Sequence, residues 1–156
     1  MEDKKSVIIG GDHRAAVLLD GLFKNIQQAG GWHVVGCFPT KKESVDYPKV
    51  SEKVGKRVSC GDFDYGILAC GSGIGVSIAA NKIIGVRAAL VFDQESARGT
   101  RKHNNSNILC LAADKISIED AIKITYVFFE TPFDGGRHTK RLNQIKEIEQ
   151  NNIPYN

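Results

Sequence analysis

The sequence predicts an α/β domain built on a parallel sheet with helices packed on both faces. Two observations carry that prediction. Short β-rich runs alternate with longer segments whose apolar residues recur at helical spacing, the signature of successive βαβ units. The chain has 156 residues, 42% hydrophobic and 25% charged, with no internal repeat and no linker rich in Pro, Gly or Ser. One continuous domain around a sizeable core is therefore expected.

Ser6 to Gly10 (S-V-I-I-G) reads as a first buried strand. Arg14 to Gln28 follows as a helix, because Leu18, Leu19, Leu22, Phe23 and Ile26 fall at helical spacing and Gly30-Gly31 stops it. Trp32 to Phe38 is a second strand. Tyr47 to Ser59 is a helix with Val50, Val54 and Val58 one turn apart, and Pro48 suits its first turn, where no N–H is needed. Tyr65 to Cys70 is a third strand that runs into Gly71-Ser72-Gly73-Ile74-Gly75 and a helix over Val76 to Asn81. Val86 to Phe92 is a fourth strand, Asp93 to His103 a polar helix and Ile108 to Ala112 a fifth strand. Ser117 is placed to cap a helix that ends at Glu130. The last helix, Thr139 to Gln150, sets Leu142, Ile145 and Ile148 beside a charged face. The domain is expected to span 1–150, with 151–156 as a short tail to which no element is assigned.

Lys and Arg total 21 against 18 Asp and Glu, a net charge of +3. That is too mild to demand nucleic acid or an anionic membrane, yet it allows a local site for a small anion. No apolar run approaches the roughly 20 residues of a spanning helix, and Met1-Glu2-Asp3-Lys4-Lys5 lacks the apolar stretch of a signal peptide. Cys37, Cys60, Cys70 and Cys110 are widely spaced and form no C-x-x-C pair. Neither a zinc motif nor a disulfide framework is expected, and the setting reads as reducing and cytoplasmic.

The loop Cys70 to Gly75 carries the strongest chemical signal. Its glycines let the backbone turn tightly and present N–H groups at a helix start, where an anion or a developing oxyanion is favoured. It lacks the Lys-Ser/Thr of a P-loop, and Val76 stands where a dinucleotide fingerprint needs its third glycine. A tight packing turn is the alternative, and the spacing favours anion binding over it. Cys70 ends a buried strand at a helix start, which favours thiolate and suits a base or nucleophile. The other three cysteines read as small core residues. Asp12-His13 follows the first strand, and Asp12 serves equally as helix cap or ligand contact. His103, in Lys102-His103-Asn104-Asn105, reads as a helix-end cation favoured by the dipole or as a general acid/base. Arg137 and Arg141 lie four apart after Gly135-Gly136, on one helical face, as a phosphate clamp or a solvated basic face.

Taken in order, G-D-H at 11–13, D-Y-P at 46–48, C-G-S-G-I-G-V-S-I-A-A-N-K at 70–82, R-K-H-N at 101–104 and G-G-R-H at 135–138 with Arg141 resemble the ribose-5-phosphate isomerase B family, which includes galactose-6-phosphate isomerase subunits. The resemblance spans about Val7 to Glu149. It implies a three-layer αβα, Rossmann-like domain with a five-stranded parallel sheet and a C-terminal helix used in dimerisation. It also implies aldose–ketose interconversion of ribose 5-phosphate and ribulose 5-phosphate through an enediolate, without metal or cofactor. Cys70 would be the proton-transfer base, since the glutamate some members use is Val76 here. His103 would open the furanose ring, and Ser72, where many members have Thr, would join them as a catalytic hydroxyl. Gly71, Ser72, Gly73, Ile74 and Gly75 would hold the enediolate oxygen. Asp12, His13, Tyr47 and Asn104 would contact the sugar, and Arg137 and Arg141 the phosphate. Sites shared between two subunits imply a homodimer or a dimer of dimers.

One departure stands out. Asp114 occupies the position of a ligand-binding arginine, with Lys115 next to it. An acid there would repel a phosphate, so Asp114 is expected to point away. Galactose 6-phosphate, allose 6-phosphate and four-carbon sugar phosphates remain alternative substrates, and a non-catalytic phospholigand-binding module on the same fold is the alternative of another class. A redox role for Cys70 would need a resolving thiol, and Cys110 is the one that could approach it in space.

Overall fold

The structure is a computed structural model and describes residues 4–40 and 42–152. The last four positions of the tail, 153–156, lie outside the described residues. Five parallel strands form one sheet: β1 (Lys5–Gly11), β2 (Trp32–Cys37), β3 (Tyr65–Cys70), β4 (Ala88–Leu90) and β5 (Ile108–Ala112), in the order β2-β1-β3-β5-β4. Among the described residues six α-helices connect and cover them: α1 (Ala16–Ala29), α2 (Tyr47–Ser59), α3 (Ile74–Ala80), α4 (Gln94–Asn104), α5 (Ile118–Glu130) and α6 (Arg137–Gln150).

The alternation of side chains along each strand splits the core into two layers. Val7, Ile9, Ile67, Ala69, Leu109 and Leu111 face one side, under Leu19 and Leu22 of α1 and Ile124 and Phe128 of α5. Ile8, Leu68, Cys70, Ile108 and Cys110 face the other, under Val54 and Val58 of α2 and Val76 and Ala80 of α3. Leu19, Leu22, Ile67, Leu68 and Leu111 are completely excluded from solvent. Each such side chain contributes about 1.5–3 kcal/mol relative to exposure.

Three elements match the sequence expectation residue for residue: α2, β3 and β5. Three corrections follow from local geometry. The helix after β1 opens as a 3₁₀ turn, His13–Ala15, before α1 begins. The helix after the glycine loop starts at Ile74 rather than Val76, because Gly73 takes φ +72° and ends the turn. The fourth strand covers only Ala88–Leu90, the three residues in register with Ile108–Cys110 of β5.

Order and direction set where a ligand can sit. From β1 the chain moves outward to β2, then returns across β1 to β3. The connections diverge there, opening a crevice at the carboxyl ends of β1 and β3. Gly11 is the only kind of residue that fits its wall, since a Cβ would stand 2.2 Å from the Ala69 carbonyl oxygen. Among the described residues no helix is long and apolar enough to cross a membrane.

Candidate active site

The crevice collects the first group of expected residues. Asp12 leaves β1, and its N–H donates to the Ala69 carbonyl at 3.3 Å. Its carboxylate Oδ1 accepts from the N–H groups of Arg14 and Ala15 at 3.0 and 3.3 Å, so it is the cap of the 3₁₀ turn. Oδ2 makes no hydrogen bond among the described residues, so capping leaves an acceptor over. His13 Nδ1 accepts from the Val45 N–H at 3.3 Å. That bond places the proton of the neutral ring on Nε2, a donor aimed away from the loop that holds the ring.

Cys70 ends β3 at 5% exposure. Its carbonyl accepts from Ala113 N–H at 2.9 Å and that of Gly71 from Asp114 N–H at 3.0 Å, which ties the loop to the end of β5. Ser72 is exposed, and its Oγ accepts from Ile74 N–H at 3.2 Å. The N–H groups of Ser72 and Gly73 donate to no protein acceptor among the described residues, leaving two donors over the strand end. The Tyr47 ring passes 2.7 Å from where a Gly75 Cβ would stand, so it walls the loop on the α2 side.

On the opposite side the expectation for Asp114 fails. Rather than pointing away, its carboxylate reaches over Gly71 and pairs with the Arg14 guanidinium. A Cβ on Gly71 would stand 2.9 Å from Asp114 Oδ2 and 3.0 Å from Arg14 Cζ. The cation expected on this strand end is thus present, but it comes from Arg14 and is already paired. Nothing in the local sequence flagged Arg14, because the partners are 100 positions apart.

The second group lies elsewhere. α4 starts at Asp93, beside the carboxyl end of β4, and runs back to the amino end of the sheet, where Arg87 Nε donates to the Asn104 and Asn105 carbonyls at 3.1 and 3.0 Å. Eleven residues at 1.5 Å each put His103 and Asn104 roughly 16 Å from the level of the glycine loop. The chain therefore does not bring them to Cys70. Arg101 fixes this helix end from within: it is 7% exposed, its guanidinium donates to the Ser106 and Thr131 carbonyls and Asn105 Oδ1, and it lies over the Tyr65 and Phe128 rings. Burial lowers its pKa from an arginine's usual value.

α6 joins the second group. Gly135 and Gly136, at φ +66° and +53°, turn the chain into it, so that it begins at Arg137, two residues before the expected Thr139. Arg137 and Arg141 are exposed and make no ion pair among the described residues. The His138 ring stacks on that of His103 at 4.6 Å between centroids and 17° between planes. Burial, then the charges of His103, Arg137 and Arg141, push His138 below an ordinary histidine pKa. Sequence reasoning gave His138 no role, although it sits within the same G-G-R-H motif.

Two well-formed grooves lie away from Cys70. Of about 370 and 380 Å³, they flank α6, lined in common by Arg87, Ile145 and Glu149, with Ile84 in one and Asn104 and Ile148 in the other. Of the other thiols, Cys110 lies two residues back on the same sheet face as Cys70, one strand over, and burial together with Cys70 holds its pKa far above the usual thiol range. Cys37 is raised by burial too, offset in part by Lys53 and Arg57, whereas Cys60, expected in the core, is exposed at the end of α2.

Comparison with known proteins agrees with the motifs. Residues 7–145 match a family model described as ribose/galactose isomerase. Ribose-5-phosphate isomerase B of Escherichia coli is 34% identical over 146 residues, covering 94% of this chain and 97% of that protein. The type B ribose 5-phosphate isomerase structure of Trypanosoma cruzi superposes with a TM-score of 0.92 at 40% identity, over 97% of this chain and 100% of that one. The structure of ribose-5-phosphate isomerase B of Mycoplasma genitalium, with ribulose-5-phosphate bound, superposes at 0.88 and 35% identity, over 94% and 97% of the two chains.

Proposed function

This chain belongs to the ribose/galactose isomerase family, and from that premise we propose that it interconverts ribose 5-phosphate and ribulose 5-phosphate through an enediolate. The observation that carries this reading is the thiol of Cys70 beneath a loop with two unpartnered N–H donors. The bound ribulose-5-phosphate of the Mycoplasma genitalium relative supports the choice of sugar.

In this reading His103 protonates the ring oxygen of the furanose as the C1 hydroxyl gives up its proton to water, which opens the ring. The Cys70 thiolate then takes the proton from C2. Negative charge moves to the C1 oxygen, where the loop N–H groups stabilise it. The same thiol returns the proton to C1, while the Ser72 hydroxyl passes a proton between the two oxygens, and the ketose results. Asp12, His13, Tyr47 and Asn104 hold the sugar, and Arg137 and Arg141 hold the phosphate, so that remote binding places C1 and C2 at the base.

One chain holds the two halves at opposite ends of its sheet, so the proposal requires a second copy. The exposed apolar side chains Ile74, Ile78, Ile84, Phe92, Ile145 and Ile148 lie on or beside the β4 edge and on α6. A homodimer through this surface covers them and carries the His103 group of one chain toward the Cys70 loop of its partner.

The test is turnover of ribose 5-phosphate by the purified chain beside Cys70→Ala. Wild-type activity with a loss of about 10²-fold or more in the variant is expected. An equally active variant removes Cys70 from the mechanism. No wild-type turnover moves the search to six- and four-carbon sugar phosphates, and undiminished sugar-phosphate binding without turnover of any of them favours a binding module.

A further inference from the structure

The end of α4 and the start of α6 bring three metal-ligating side chains together. The Asp134 N–H donates to the Lys102 carbonyl at 3.1 Å, which pins the connection from α5 against the last turn of α4. The glycine pair then folds the chain back, with His138 N–H donating to the Gly135 carbonyl at 3.0 Å. The His138 imidazole lies under that of His103, and the Asp134 carboxylate stands beside both. One ligating atom from each of the three residues lies within 4.8 Å of the others. None of these ring nitrogens or carboxylate oxygens makes a hydrogen bond or ion pair among the described residues.

We propose that His103, Asp134 and His138 form a binding site for one divalent transition-metal ion of the zinc class. Two imidazoles and a carboxylate are donors that zinc, cobalt(II) and nickel(II) accept, with a fourth position left for water. Ligands of a tetrahedral zinc stand about 3.3 Å apart, given bonds of ~2.0–2.1 Å. Closing the gap needs rotation of His103 and Asp134, which are exposed, around His138, which is buried and held. Lys102 adjoins His103 in sequence and the charges of Arg137 and Arg141 act on His138, so these cations oppose a metal ion and the single carboxylate of Asp134 favours it. A bound metal takes a ring nitrogen of His103. On the reading of His103 as the ring-opening group, the ion therefore inhibits the isomerase.

The test titrates the metal-free full chain with zinc chloride by calorimetry at neutral pH, beside Asp134→Asn, His138→Gln and Cys60→Ser, the last removing the exposed thiol. One ion per chain is expected, with affinity at least ten-fold weaker in Asp134→Asn and His138→Gln and unchanged in Cys60→Ser. Cobalt(II) should give d–d absorption without a thiolate charge-transfer band. Absence of binding at 100-fold excess metal overturns the site, as does binding that survives both Asp134→Asn and His138→Gln or is lost in Cys60→Ser. Asp134→Asn is on the surface and carries the test if His138→Gln does not fold. Zinc should also suppress turnover in the wild type and not in Asp134→Asn. Metal binding that leaves wild-type turnover intact keeps the site and overturns the ring-opening role of His103.

Discussion

Asp114 sets the electrostatics at one side of the glycine loop. Its carboxylate stands over Gly71 and occupies the guanidinium of Arg14, so this strand end offers an anion a neutralised pair rather than a free cation. Both side chains are substantially exposed, at 61% and 40%, and such pairs contribute about 0–1 kcal/mol to stability. On the proposed function, their importance lies in the charge presented to substrate. Asp114→Asn should free Arg14 and lower KM for ribose 5-phosphate about two- to five-fold at low ionic strength, with kcat little changed and the gain shrinking as salt is added. A KM that is unchanged or higher in steady-state assays would show that Asp114 holds Arg14 in place for binding instead of opposing the phosphate.

Helix ends place the second group of site residues, and each end has its own device. Asp93 caps α4: its carboxylate accepts from Ser96 N–H at 2.7 Å, and these bonds lower its pKa from the ordinary carboxylate value. A lowered carboxyl stabilises the fold above the unfolded-state pKa and loses that contribution as pH falls through the lowered one, so this cap holds throughout the neutral range. At the other end Asn105 adopts φ +45°, the one left-handed non-glycine position among the described residues. α5 is capped by Ser117, whose Oγ accepts from Asp120 N–H at 3.1 Å. Ser117→Ala should cost about 1 kcal/mol and lower the melting temperature by roughly 2–4 °C in a thermal scan. Because α5 leads into the connection that carries Asp134, a change much larger than this would mean that the cap also anchors the approach to α6.

The arrangement of the whole chain makes its sharpest prediction about assembly. If each site takes Cys70 from one copy and His103 from the other, mixing Cys70→Ala with His103→Ala after dissociation and reassociation should restore activity. Half of the dimers become mixed and each carries one intact site, giving about a quarter of wild-type turnover. A site contained in one chain gives no recovery. Much of this was legible in the sequence. The alternating pattern of apolar runs determined the parallel sheet, because strand and helix periods are local. Likewise Ser117 marked a helix start through a backbone requirement that one residue meets or fails. The residue types of the candidate chemistry, from Asp12 to Arg141, were legible for the same reason. Tertiary structure alone decided which of them meet. The direction of α4 sets His103 at the opposite end of the sheet from Cys70, the strand order β2-β1-β3-β5-β4 opens the crevice between β1 and β3, and the pairings Arg14–Asp114 and His103–His138 join residues 100 and 35 positions apart. Contacts of that separation depend on how the layers close around the core, and no local pattern in the chain encodes them.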